Sequence, residues 1–143
     1  MWVKRPIRGS DADFVVYCWL TSYKRSPPII AMGASHNRAA HDRFWQGHEK
    51  IVHRLLERCQ TVVAEAEGPN GVPVIVGFIC YEPGVLHYIL TRRGFQRMGI
   101  AKDLLGGFLG QRDVLYSHMS ATRGLIIPAG WSYSQYEALK YLE

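Results

Sequence analysis

A chain of 143 residues, 48% hydrophobic and 20% charged, has the size and composition of one globular domain that needs no staples to build a core. No apolar run approaches the roughly 18 residues that span a bilayer, which excludes a helical membrane span. The net charge of +5 and a pI near 9.3 favour anionic partners such as coenzyme phosphates, nucleic acid or acidic protein surfaces.

Met1-Trp2-Val3-Lys4-Arg5-Pro6 lacks the apolar core of a secretory signal. Cys18, Cys59 and Cys80 are odd in number, widely spaced and set among apolar neighbours. They read as buried free thiols of a reducing compartment, and a cytoplasmic protein is expected. The basic residues are dispersed, and of their small clusters only Arg92/Arg93/Arg97/Lys102 adjoins a plausible anion site.

In chain order, Trp2 to Arg8 alternates as a first strand, ended by Gly9-Ser10-Asp11, where Ser10 or Asp11 can cap a helix over Ala12 to Tyr23. Pro27 and Pro28 end that helix, and residues 29–40 read as an irregular surface loop. His41 to Arg58 carries an apolar stripe of Phe44, Trp45, His48, Ile51, Val52, Leu55 and Leu56, the mark of a second helix. Thr61 to Ala66 and Val74 to Tyr81 are strands joined across Asn70-Gly71, a strong hairpin signal. Glu82-Pro83-Gly84 turns into a third strand of this run, Val85 to Thr91. Lys102 to Leu109 has apolar residues at helical spacing, and Val114 to Met119 is a last strand. The aromatic tail with Trp131, Tyr133, Tyr136 and Tyr141 has no clear assignment; such aromatics fit a core or a homodimer interface. The order β-α-α-β-β-β-loop-α-β predicts a mixed α/β layer with an antiparallel run in its middle, in a single domain covering 1–143.

Between the Val85–Thr91 strand and the following helix lies Gln96-Arg97-Met98-Gly99-Ile100-Ala101. A strand, a tight turn and a helix start aim several unpaired backbone N–H groups at one point, aided by the positive end of the helix dipole. Gly99 and Ala101 leave room for an anion to approach the main chain, and Arg97 and Lys102 add charge.

This loop, with the element order around it, resembles the GNAT superfamily of N-acetyltransferases, whose loop reads Gln/Arg-x-x-Gly-x-Gly/Ala. The similarity covers about residues 1–119 and includes Phe95 before the loop and Leu104-Leu105 after it. It implies a GNAT-like α/β (α+β) fold: a mixed central sheet with helices on both faces and a splayed slot between strands four and five. It implies acetyl-CoA, or another acyl-CoA, as co-substrate, with the pyrophosphate on the main chain of Gln96, Arg97, Met98, Gly99, Ile100, Ala101 and Lys102. The pantetheine arm would bond main-chain groups near Leu90 and Thr91.

The implied activity is transfer of an acetyl group to a primary amine by direct attack in a ternary complex. On the strand where the superfamily often places its base stands His87, a residue type suited to general-base work. Glu82, at the end of the preceding strand, is a second candidate beside its plainer reading as a solvated turn carboxylate. The family's Asn-x-x-Ala-x-x-x-Tyr pattern, which supplies the general acid, is missing: Ser117-His118-Met119-Ser120-Ala121-Thr122-Arg123 stands there. Of Tyr116, Tyr133 and Tyr136, Tyr133 is the preferred substitute. His41, His48 and His53 share a helix at spacings unsuited to one ligand face, so no metal is expected.

The acceptor, whether small molecule, protein or nucleic acid, is expected between segment 24–40 and the aromatic tail. The missing acid leaves open a catalytically silent binding module, and the basic charge leaves open a nucleic-acid-directed modifying protein. The run from Tyr116 to Tyr133 is similar to small GNAT-type proteins of bacteriophages and prophages, which would place the protein in the host cytoplasm.

Overall fold

In the computed structural model, which describes residues 1–26, 29–30, 33, 37–118 and 127–142, six strands form one sheet in the order β1-β2-β3-β4-β5-β6. The strands are β1 (Trp2–Pro6), β2 (Gln60–Glu67), β3 (Pro73–Glu82), β4 (Val85–Thr91), β5 (Leu115–Tyr116) and β6 (Ser132–Tyr133). The first four pair antiparallel, whereas β4–β5 and β5–β6 pair parallel. Short connections join β2 to β3 and β3 to β4, whereas β1 reaches β2 through intervening helices. The β2–β3 turn places both Asn70 and Gly71 at positive φ, 62° and 74°, as the Asn-Gly signal predicts. Gly84, at φ 74°, closes the β3–β4 turn.

Alternation along the strands gives the sheet two apolar faces. One takes α1 (Ala12–Tyr23) and α2 (Arg38–Arg58), which pack Val15, Trp19, Leu20, Val52 and Leu55 against Val63, Phe78 and Tyr88. The C-terminal helix α4 (Gln135–Leu139) adds Ala138 to this core. The other face takes α3 (Ile100–Leu105), whose Ile100 and Leu104 meet Ala64, Val76 and Ile79. Gly77 of β3 makes that approach possible: a Cβ there would lie 2.7 Å from the Leu90 carbonyl oxygen and 3.2 Å from Ile100 Cγ2. The mixed sheet with helices on both faces agrees with the fold expected from sequence.

Several expected boundaries are corrected. The first strand stops at Pro6 rather than Arg8, and a 3-10 turn over Gly9–Asp11 leads into α1. The second helix starts three residues early, at Arg38, because the Asn37 side chain accepts from Ala40 N–H at 2.8 Å and caps it. The helix expected through Leu109 ends at Leu105, because Gly106 takes φ 27° and ψ −99°, which only glycine readily adopts, and a 3-10 turn follows. Of the strand expected over Val114–Met119, the described residues pair as strand only at Leu115 and Tyr116. The tail, unassigned from sequence, supplies β6 and α4. Part of the loop expected over 29–40, and residues 119–126 of the run compared with phage proteins, lie outside the described residues. No described helix is long and apolar enough to cross a membrane.

Candidate active site at the fork of two parallel strands

The register of β3 on β4 pairs Cys80 with Tyr88 and Tyr81 with Leu86, so His87 is the extra residue of a β-bulge. A bulge bends its strand and re-aims its side chain. Beside it, β5 follows β4 for two residues only: Ser117 N–H donates to Leu86 O at 3.2 Å and the ladder ends there. β5 takes up β6 on its other side, with Ser132 N–H on Val114 O and Ser134 N–H on Tyr116 O, both 2.9 Å. Among the described residues β4 and β5 pair no further than Leu86, and beside this end lies a slot of about 120 Å³ lined by Leu86, Tyr88, Leu105, Leu109, Tyr116, His118 and Trp131. Leu90 and Thr91 lie past the fork on β4; their pairing is with Phe78 and Gly77 of β3. The Thr91 hydroxyl is buried with no hydrogen-bond partner among the described residues.

β4 then runs into an exposed turn. Gly94 and Gly99 have φ of 93° and 89°, and Arg97 is held at φ 65°. The first helical bond of α3 is Asp103 N–H to Gly99 O at 3.0 Å, and no side chain caps the helix. The N–H groups of Ile100, Ala101 and Lys102 therefore precede the helical ladder and lack partners within it. Arg97 and Lys102 are exposed beside them. Arg92 is engaged elsewhere, donating to Ile75 O at 2.9 Å with its guanidinium 5.1 Å from the centre of the Phe14 ring. The turn is braced from below: Trp2 Nε1 donates to Asp103 Oδ2 at 2.8 Å, and Lys4 pairs with Asp103 at 2.9 Å.

At the base of the fork lies a chain of polar side chains in an otherwise apolar core. His87 has no exposed surface, with Nε2 2.6 Å from Glu82 Oε2 and Nδ1 2.7 Å from Ser117 Oγ. Ser117 Oγ in turn lies 2.8 Å from His118 Nδ1. Glu82 also accepts from Cys59 Sγ at 3.3 Å, Lys140 Nζ at 2.7 Å and Tyr141 OH at 3.0 Å. Burial pushes its carboxyl up, but hydrogen bonds from Lys140, His87, Cys59 and Tyr141 outweigh it and hold the group down at about 2. Burial pushes His118 down to about 3, against a hydrogen bond to the His87 main chain that pulls the other way, so it is neutral at pH 7.

Sequence reasoning proposed His87 and Glu82 separately; the fold joins them. Glu82 is no solvated turn carboxylate but the acceptor for donors from four other residues. Cys59, expected in apolar surroundings, is one of those donors. Tyr133, on β6, is 41% exposed with its ring 5.7 Å from that of Tyr116, and the slot is lined by Tyr116 and Tyr88, not by Tyr133. Ser117 and His118 appeared in the sequence only as a departure from a family pattern. Nothing in spacing pointed to Cys59, Lys140 and Tyr141, which reach Glu82 from the ends of α2 and α4.

Cys59, Glu82 and His87 bring one ligand atom each within 4.8 Å of one another, the sole such trio among the described residues. The hydrogen bonds to Glu82 account for that convergence without an ion. His41, His48 and His53 do not converge: they neighbour Trp45, Phe44 and Glu49 respectively.

No family model matches this chain, and no curated protein matches it. Among solved structures it is similar to a protein of Rhodopseudomonas palustris described as a GCN5-related N-acetyltransferase and also as a class-II aminotransferase. The superposition has a TM-score of 0.51 at 14% identity, over 75% of this chain and 62% of that one. Likeness at that identity establishes a shared GNAT-like fold.

Proposed function

We propose that the protein is an acyl-CoA-dependent N-acyltransferase that passes an acetyl group from acetyl-CoA to a primary amine. The observation that carries this reading is the fork: parallel strands paired at two residues among those described, beside a slot reached by Leu105 at the end of α3, whose start is uncapped. The free N–H groups of Ile100, Ala101 and Lys102, with Arg97 and Lys102, would take the pyrophosphate. The slot would take the pantetheine arm along the unpaired edge of β4, with the Thr91 hydroxyl among the donors on offer.

With the thioester held there, the protein's main contribution is placing the amine against the carbonyl carbon. The C–N bond forms, the C–S bond breaks, and the departing sulfur takes a proton. Of the two tyrosines that line the slot, Tyr88 has its hydroxyl on Ser22 Oγ at 2.6 Å, which leaves Tyr116 as the proposed donor in preference to the exposed Tyr133. Three free cysteines suit a reducing cytoplasm.

Isothermal titration with acetyl-CoA, followed by thiol release against a panel of amines, tests the reading. We expect micromolar binding, weakened about tenfold in the R97Q/K102Q double variant through loss of charge-assisted contacts. Absence of binding at millimolar acetyl-CoA would refute it. Binding without thiol release for any amine would favour a coenzyme-binding module instead.

A further inference from the structure

With His87 neutral in the resting protein, the hydrogen-bond chain at the base of the fork has a direction. Glu82, ionised, only accepts, so His87 Nε2 donates to it across 2.6 Å. A neutral imidazole carries a single N–H, which leaves His87 Nδ1 bare. The Ser117 hydroxyl then donates to Nδ1 at 2.7 Å rather than to the His87 carbonyl at 3.4 Å. With its own proton committed, Ser117 Oγ accepts from His118 Nδ1 at 2.8 Å. His118 therefore carries its proton on Nδ1 and keeps a bare lone pair on Nε2. His118 is among the residues that line the slot, and its side-chain hydrogen bond to Ser117 is made through Nδ1.

We propose that His118 is the general base of the slot and that Ser117, His87 and Glu82 form a proton wire draining it. This rests on the acyltransfer reading above. As the amine nitrogen bonds to the thioester carbon, its proton passes to His118 Nε2. The His118 Nδ1 proton moves to Ser117 Oγ, and the Ser117 proton moves to His87 Nδ1. The C–S electron pair stays on sulfur, which takes the Tyr116 proton; solvent later restores Tyr116 and takes the Nε2 proton of His118 through the slot, and the wire runs back to return His118 to its Nδ1 form. The wire ends with His118 neutral and protonated on Nε2, the Ser117 hydroxyl re-formed, and a His87 imidazolium against the Glu82 carboxylate.

The wire answers a difficulty of burial. His118 is 6% exposed and packs against Trp19 and Tyr23 of α1 and Tyr88 of β4, with His48 of α2 nearby. None of these offers a negative charge, so an imidazolium lodged there would be poorly solvated. Moving the charge two side chains along sets it beside Glu82, whose other neighbours are Lys140, Tyr141 and Cys59. His118 is the catalytic residue; Ser117, His87 and Glu82 position its proton and carry away the next.

Two-bond proton–nitrogen correlation spectra of protein labelled with ¹⁵N-histidine read the tautomers directly, without acyl-CoA. We expect opposite tautomers, with the proton on Nδ1 in His118 and on Nε2 in His87. A His118 protonated on Nε2 would overturn the wire. Failure of acetyl-CoA to bind would instead overturn the acyltransferase reading and leave the tautomers as they are. In the active enzyme, Ser117→Ala should lower kcat about 100-fold with the KM for acetyl-CoA unchanged, and Ser117→Thr, which keeps the hydroxyl, should restore most of it. An unchanged kcat in S117A, or a loss confined to KM, would also overturn the proposal. Should S117A fail to fold, the wild-type tautomers and S117T decide.

Discussion

Gly77 is where the stability of this fold and the geometry of its coenzyme turn meet, and Gly77→Ala separates them from the rest of the molecule. The new methyl would sit 2.7 Å from the Leu90 carbonyl oxygen, 3.2 Å from Ile100 Cγ2 and 3.5 Å from Leu104 Cδ1. The nearest of these is backbone inside the β3–β4 ladder, so relief requires the strands or α3 to shift. Overpacking of this kind costs about 1–3 kcal/mol. Alanine recovers about 0.5–1 kcal/mol that glycine loses in a strand, leaving a net loss of about 1–2 kcal/mol. At about 0.3 kcal/mol/K for a chain of 143 residues, Tm should fall by about 3–7 °C in a calorimetric scan. Because α3 begins at the proposed pyrophosphate site, acetyl-CoA affinity should fall with it, while far-UV circular dichroism stays that of the wild type. A Tm unchanged or raised by G77A would refute the close docking of α3 on β3 and the steric reasoning built on it.

Other expectations address separate parts of the fold. Asn37→Ala removes the cap of α2, whose side chain accepts from Ala40 N–H at 2.8 Å, and should cost about 0.5–2 kcal/mol. Hydrogen exchange should rise in the first turn of α2 and not around Leu55. Tyr88→Phe deletes the hydroxyl that meets Ser22 Oγ at 2.6 Å; Ser22 itself donates to Trp19 O at 3.0 Å, so Tyr88 is the donor. Denaturant titration should show a loss of about 1 kcal/mol with an unchanged m value. The Arg5 hydrogen bond holds Asp11 below the ordinary aspartate value of 3.8 against the opposing effect of burial. A carboxyl depressed on folding contributes stability that is present above the unfolded value and lost as pH falls through the folded one. The wild type should therefore be more stable than Asp11→Asn at pH 7, and the difference should shrink below about pH 4 in matched urea melts.

The local grammar of the chain set most of the scaffold. Ala12–Tyr23 and Val85–Thr91 fold over the spans their patterns predict, because a continuous apolar periodicity with clear punctuation at each end leaves no competing assignment. The same holds for the Asn70-Gly71 turn, whose conformation only a few residue types accept. The turn over residues 96–99 was legible for the same reason, since its glycine and the helix start after it are local features. What failed were boundaries: Gly106 ends α3 early, and β5 pairs with β4 at only two of the described residues.

For the candidate site the division is sharper. Sequence singled out His87, Glu82 and the turn before α3, each on its own stretch of chain. Only the tertiary structure decided that a bulge at position 87 turns one imidazole toward both Glu82 and Ser117, and that β5 brings His118 to the slot. Likewise, the ends of α2 and α4 had to come together before Cys59, Lys140 and Tyr141 could gather on one carboxylate. Hydrogen bonds between side chains 30 or 58 residues apart leave no periodicity behind. Strand and helix patterns repeat every two to four residues and are written in the chain, whereas the meeting of distant polar groups exists only once the sheet has closed around them.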